Sequence, residues 1–314
     1  MKKVWLIGAG LMAQDYIKVL NALDSNVTVI GRSEKSAAEC KEKMEVDVLT
    51  GGLENFLETN PKIVDYAIVA VGVEKLFETT KSLLEYGVKN ILVEKPGALD
   101  SSEFVILEQL AEKKRANVLI AYNRRFYASV LKAQNIIDAD GGVSSFNFEF
   151  TEWAHVIEPL AKADGVKEKW FLGNSTHVVD LAFYLGGKPK EMCSFSSGSL
   201  KWHEAASNFS GAGVSEKGAL FNYQANWESA GRWSVEILTK ENRLILRPME
   251  KLQIQKRGTI PQLFDESIDY SLDEKYKPGL YLQTENFLEN KFENMCFIKE
   301  QSSIVSHYNK MANY

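Results

Sequence analysis

Three short stretches carry residue types whose spacing suits chemistry. The first is Gly8-Ala9-Gly10-Leu11-Met12-Ala13, a G-x-G-x-x-A run directly after the apolar residues 4–7. Gly8 permits a tight turn, Gly10 lets the backbone approach a pyrophosphate, and Ala13 lets a helix pack close to a strand. The free N–H groups and positive end of the helix that follows would face the phosphates. An ordinary strand–turn–helix can carry the same letters, but the setting between strand and helix favours a dinucleotide. The second stretch is Gly31-Arg32-Ser33, about 20 residues beyond the loop, where NAD-specific folds place an acidic residue on the ribose. Arg32 offers a planar, permanently charged fork to a 2′-phosphate and Ser33 a hydroxyl donor. NADP is therefore the expected cofactor. Glu34, one position on, keeps NAD open, and a merely solvated Arg32 is the plain alternative. The third stretch is Glu94-Lys95-Pro96, after the apolar residues 90–93. A lysine there can hold a hydroxyl or carbonyl oxygen and stabilise negative charge developing on it. Alone, the tripeptide is equally a surface lysine before a proline.

These residues need a scaffold, and the pattern up to residue 121 supplies one. Strand-like residues 4–7, 26–33, 46–49, 64–72, 90–93 and 117–121 alternate with helix-like residues 14–23, 33–43, 53–57, 74–86 and 101–114. Ser101 or Ser102 is the expected cap of the last helix. Such alternation predicts a parallel, doubly wound sheet. Ligands lie at the carboxyl ends of strands in open α/β sheets. That rule puts Val71 and Gly72, then Glu94 and Lys95, then Tyr122, Asn123 and Arg124 at the functional rim. The rhythm changes afterwards. A helix is expected over residues 129–137 and a strand over 144–151, with Phe146, Phe148 and Phe150 on one face. A helix over 176–185 precedes strands at 192–198, 218–227, 233–238, 243–247 and 252–256, which argue for an antiparallel sheet. Helices close the chain at 280–292 and 300–310. The expected domains are residues 1–122, binding NAD(P), and residues 123–314.

Bulk properties exclude several classes. A length of 314 residues suits about two domains, and a net charge of −5 gives no electrostatic footprint for nucleic acid or an anionic membrane. No apolar run approaches the roughly 20 residues of a membrane span. Residues 1–3 lead straight into a strand rather than a signal-peptide core. Cys40, Cys193 and Cys296 are widely separated, which fits a reducing cytoplasm. His155, His203 and His307 show no ligand spacing, so no metal is expected. Trp153 and Trp170 could line a sugar site, but core or interface packing is the commoner fate of such residues.

Taken together, the glycine loop, Glu94-Lys95-Pro96, Asn123-Arg124-Arg125-Phe126 and the later His177-Val178-Val179-Asp180 resemble the glucose-fructose oxidoreductase / inositol dehydrogenase / rhizopine-catabolism (Gfo/Idh/MocA) family. The resemblance runs over nearly the whole chain. It implies a Rossmann domain followed by an α+β domain with a large open, mostly antiparallel sheet that commonly forms a dimer or tetramer interface. It also implies hydride transfer between a nicotinamide and a secondary alcohol/ketone pair on a sugar, cyclitol or nucleotide sugar. Lys95 and His177 carry over as the catalytic residues, with Tyr122, Arg124 and Asn174 beside the substrate. Imidazole titrates near the working pH, as an acceptor of a hydroxyl proton should. Asp180 either orients His177 or pairs locally.

The sequence also departs from the family. Sugar-oxidising members often read D-x-G-x-H, and here Gly173 stands where the aspartate would be; Asn174 is a neutral substitute. A catalytically silent, dinucleotide-holding sensor therefore stays open. So does a different reductase on the same scaffold, resembling biliverdin reductase or an amino-acid dehydrogenase.

Overall fold

The computed structural model describes residues 1–314, and the chain divides into two compact units. The first is Met1–Tyr122 with Asp273–Ser303; the second is Asn123–Leu272 with Ile304–Tyr314. The span 123–314 is thus interrupted, because residues 273–303 pack with the first unit.

In the first unit, β1 (Lys3–Ile7), α1 (Leu11–Ala22), β2 (Asn26–Ile30), α2 (Glu34–Met44), β3 (Val48–Leu49) and α3 (Gly52–Glu58) follow one another. Then come β4 (Tyr66–Val69), α4 (Leu76–Tyr86), β5 (Asn90–Glu94), α5 (Ser101–Lys114) and β6 (Asn117–Ala121). The strands pair in parallel in the order β6-β5-β4-β1-β2-β3. Val4, Trp5, Leu6 and Ile7 are all buried, as strands covered on both faces must be. Register decides where the rim lies. Ile7 pairs with Ile30 on one side and Val69 on the other, so Gly8, Gly31 and Ala70 emerge side by side. The cap of α5 is Asp100 rather than either serine. The Glu103 carboxylate accepts from the Leu99 and Asp100 N–H groups at 3.0 and 3.2 Å, a reciprocal box that Ser101 and Ser102, with Phe104 and Val105 three residues on, cannot build.

The second unit opens with α6 (Ala128–Ala139), β7 (Ser145–Glu149), α7 (Ala154–Ile157) and α8 (Thr176–Gly186). The strands β8 (Pro189–Ser197), β9 (Asn208–Ser215), β10 (Leu220–Asn226), β11 (Ser234–Leu238), β12 (Asn242–Leu246), β13 (Gln253–Lys256) and β14 (Leu263–Phe264) follow. They form one sheet in the order β14-β13-β12-β11-β7-β10-β9-β8. Every pairing is antiparallel except β7 with β10. Helix α8 lies on the face presented by Phe146, Phe148 and Phe150. The Phe183 ring meets Phe148 edge-on at 5.4 Å, and Gly186 leaves room for the Phe146 ring. Strand β9 escapes the sequence pattern, since Gly211 and Gly213 break its apolar run. Packing explains both glycines, because a side chain at either would collide with the ring of Tyr223 or Phe221 across the ladder.

The chain ends with α9 (Ser271–Lys275), α10 (Leu280–Leu288), β15 (Cys296–Phe297) and α11 (Ile298–Ala312). In the first unit, α10 packs on α1, and Phe287 meets the Tyr66 ring at 5.4 Å. Strand β15 adds antiparallel to β6, pairing Cys296 with Ile120 at the sheet edge. The boundary between the units falls inside α11.

Candidate functional site

The glycine loop leaves β1 at Ile7 and enters α1 at Leu11. Gly8 has φ +125°, and a Cβ there would collide with the Ala70 carbonyl oxygen. Glycine is therefore required for both conformation and clearance. Gly10, by contrast, faces open space. It is also the N-cap of α1, with no side-chain cap and no acidic residue in the first turn. The helix thus presents unscreened N–H groups, which suits a pyrophosphate. Gly8, Gly10, Leu11, Met12, Arg32, Ser33, Val71 and Gly72 all line one cleft of about 660 Å³. Ala13 lies behind the loop, fully buried against the sheet.

At the far end of this cleft the side chains divide by sign. Arg32, Ser33 and Ser36 line it, while Glu34 does not. Ser33 caps α2, accepting from the Ser36 N–H at 3.3 Å. Glu34 is turned aside and accepts from the Thr50 hydroxyl at 2.6 Å. Three other carboxylates border the cleft, Glu54, Glu74 and Glu78, the last paired with Lys75 at 2.8 Å.

Glu94 and Lys95 stand at the carboxyl end of β5, one parallel strand beyond β4. The Lys95–Pro96 bond is cis. Glu94 accepts from the buried Tyr16 hydroxyl of α1 at 2.9 Å. Burial raises the Glu94 carboxyl above its usual range, opposed by the positive charge of Lys95, the Tyr16 bond and Lys277. Lys277 has no signal in the sequence. It arrives on the segment that returns to the first unit, with Nζ 3.1 Å from the Met12 sulfur and 4.0 Å from Asp15. Its separation of 265 residues from Met12 hides it from any local motif. Tyr122 is buried, and its hydroxyl is bonded to the Gln301 side chain at 2.9 Å.

In the second unit the turn Asn123–Phe126 leads toward α6. Asn123 and Arg125 are buried. The Arg125 guanidinium donates to both oxygens of Asp180 on α8, at 2.9 and 2.6 Å. Asp180 therefore joins the turn to α8 through a partner 55 residues away. His177 sits half-buried in the first turn of α8, its ring centroid 6.0 Å from that of Trp233. A single π-helical turn, Phe171–Ser175, leads into α8. Such turns are rare and recur at functional sites. Gly173 lies in it, and a Cβ there would meet nothing within 4 Å.

The same turn is held by a carboxylate that no motif announced. Glu152 is buried and accepts from Asn174 Nδ2 at 2.9 and 3.1 Å and from Ser175 Oγ at 2.8 Å. Arg232 lies 3.6 Å from it. Asn174 is thus engaged with a carboxylate from the far end of β7 rather than replacing the one absent at Gly173. Arg124 stacks over Trp233 at 4.9 Å and Tyr127 at 5.8 Å.

A parallel sheet with a glycine loop at its carboxyl rim, followed by a large mostly antiparallel sheet, defines a two-part architecture whose first part is Rossmann-type. Residues 2–122 match the family model described as the Gfo/Idh/MocA oxidoreductase family, NAD-binding Rossmann fold. No curated protein matches the sequence significantly. Solved structures extend the likeness of fold to the whole chain. UDP-N-acetylglucosamine 3-dehydrogenase GnnA from Acidithiobacillus ferrooxidans superposes with a TM-score of 0.76 at 15% identity, over 98% of this chain and 96% of that one. Levoglucosan dehydrogenase in complex with NADH gives a TM-score of 0.80 at 16% identity, over 99% and 96%. The dehydrogenase MviM from Clostridium difficile gives 0.78 at 18% identity, over 99% of both chains.

Proposed function

We propose that this protein is an NADP-preferring oxidoreductase. It moves a hydride between the nicotinamide and a secondary alcohol/ketone pair on a sugar, cyclitol or nucleotide sugar. The cofactor preference rests on one observation above all: Arg32 and Ser33 line the dinucleotide cleft while the Glu34 carboxylate is bonded to Thr50. A carboxylate held away from the ribose removes the repulsion that a 2′-phosphate would otherwise meet, and Arg32 supplies a forked donor. Two of the fold's relatives, a nucleotide-sugar dehydrogenase and levoglucosan dehydrogenase, favour a carbohydrate-like substrate.

When bound, the nicotinamide supplies the carbon that gives or takes the hydride. The chain's own groups do the rest. The loop N–H groups at Gly10 to Met12 hold the pyrophosphate. Lys95 holds the substrate oxygen through its ammonium and lowers the cost of negative charge there. His177 takes or returns the hydroxyl proton. We assign the protein to the cytoplasm, in keeping with its three free cysteines, and to a homodimer or homotetramer, as the family resemblance implies.

The test is a fluorescence titration of the purified chain with NADPH and NADH, followed by turnover over a panel of sugars. Tighter NADPH binding, lost in Arg32→Ala, is expected. Lys95→Ala and His177→Ala should abolish turnover yet retain dinucleotide affinity. Tighter NADH binding would refute the cofactor preference, and full turnover in both variants would refute the catalytic assignment.

A further inference from the structure

Two guanidiniums of the second unit meet at Trp233, and only one of them has a carboxylate within ion-pair distance. The guanidinium carbons of Arg124 and Arg232 lie 4.9 and 4.5 Å from the centroid of that one indole ring. Arg232 also lies 4.8 Å from the Trp153 ring. Arg124 has no carboxylate within ion-pair distance, and its buried Nε has no hydrogen-bond partner. The Trp233 indole N–H is likewise buried and unbonded. Glu152 is the carboxylate at hand, 3.6 Å from Arg232, and its oxygens already accept from Asn174 and Ser175. Glu250 and, less strongly, Glu152 attract Arg124 without pairing with it.

Of the two guanidiniums only Arg232 has a carboxylate within ion-pair distance, so the Arg124 charge, which arginine cannot shed at neutral pH, has no direct counter-ion. Stacking on indole rings fixes both guanidinium planes and leaves their edges to donate. Planar forks held in this way suit a carboxylate or phosphoryl group, which can accept two parallel hydrogen bonds from each. The place is also reachable, since the Arg232 side chain is 47% exposed and Trp153 is 45% exposed.

We infer that Arg124 and Arg232 form a subsite for an anionic group, a carboxylate or a phosphoryl, carried by the substrate. The inference deepens the proposed oxidoreductase reading and relies on it for the sugar to which the anion is attached. It also gives Glu152 a role: it holds Arg232 and the Asn174–Ser175 turn in one arrangement, so it positions rather than reacts.

The test is calorimetric titration of the full chain, with and without saturating dinucleotide, using D-glucose, D-glucuronate and D-glucose 6-phosphate as probes. At least one anionic sugar should bind about tenfold more tightly than glucose. A preference for glucuronate identifies a carboxylate subsite, and a preference for the phosphate ester a phosphoryl one. Arg124→Met and Arg232→Met should each weaken the anionic sugar by roughly 10- to 100-fold, the scale of a hydrogen bond to a charged group, and Arg232→Met should leave glucose unchanged. Arg232 is at an exposed position, so its variant keeps the test valid should Arg124→Met fail to fold. Equal affinity for all three sugars, no binding of either anionic sugar, or unchanged affinity in both variants overturns the inference. Arginine-dependent anion binding in a chain that holds neither dinucleotide would refute the oxidoreductase reading and support the subsite. Dinucleotide binding without discrimination by charge would do the reverse.

Discussion

Removing one member of the Arg125–Asp180 pair should unfold the second unit far more readily than removing both. Each side chain is only 4% exposed, and the contact is bidentate at 2.9 and 2.6 Å. Desolvating two ions offsets most of their attraction, so the intact pair contributes little net stability. Deleting one partner is different, because the other charge stays buried without compensation. The expected cost of Asp180→Leu or Arg125→Met is about 3–5 kcal/mol each. The double variant should recover most of that loss, giving a large coupling energy in a double-mutant cycle. Urea unfolding followed by tryptophan fluorescence reads the correct unit, because Trp5 alone of the six tryptophans lies in the first. With a urea dependence of about 3 kcal/mol/M, each single variant should lower the midpoint by roughly 1–1.7 M. Single losses below about 1 kcal/mol, or a double variant as unstable as the sum of the singles, would refute this account of the pair.

Further expectations are simpler. Gly8→Ala should abolish dinucleotide binding in the fluorescence titration, since φ +125° and the Ala70 carbonyl both exclude a side chain; retained affinity would contradict the loop assignment. Gly173→Ala should raise stability by about 0.4–1 kcal/mol, because the added methyl meets nothing within 4 Å while the unfolded chain loses freedom; a clear loss in the denaturation midpoint would mean the turn needs glycine. Lys277→Met should weaken dinucleotide binding by roughly 2- to 5-fold, as expected for one partly exposed charge near the loop; an unchanged affinity would show that its charge does not reach the phosphates. Burial holds the His203 imidazole below its usual range. Nδ1–H donates to the Ala206 carbonyl at 2.7 Å, and the neutral Nε2 accepts from the Tyr314 hydroxyl at 2.9 Å. The unfolded chain takes up this proton near pH 6.5 and the native chain only at lower pH, so stability should fall as pH drops below about 6.5. His203→Gln should flatten that slope in thermal melts between pH 7 and 5; an unaltered slope would assign it to other groups.

Local patterns carried much of this molecule. The continuous apolar strands and the glycine loop announce the parallel sheet because burial on both faces and a tight phosphate-facing turn each need particular residues. The alternation of Phe146, Phe148 and Phe150 announces β7 for the same reason. Features that depend on partners distant in sequence stayed hidden. Gly211 and Gly213 weaken β9 as a strand until Tyr223 and Phe221 are seen beside them. Asp180 has no marked destination until Arg125 arrives from the preceding turn. Glu152 belongs to no motif, and only the folded chain brings Asn174, Ser175 and Arg232 to it. Lys277 meets Met12 because residues 273–303 return to the first unit, and no composition or period foretells that return.

That return has a consequence for synthesis. The first unit needs β15 to cover the edge of β6 and α10 to pack on α1, yet both lie near the end of the chain. At translation rates of about 5–20 residues per second, roughly 9–36 s separate the emergence of Tyr122 from that of Ser303. Throughout that interval the nascent chain exposes Leu119 and Ile120 at the edge of β6 without their β15 partner, the kind of edge that recruits other strands. The second unit waits as well, because Tyr314 accepts from the Phe171 N–H and bonds to His203. Neither unit is therefore complete until the end of the chain emerges, since the first takes residues up to 303 and the second takes residues 304–314.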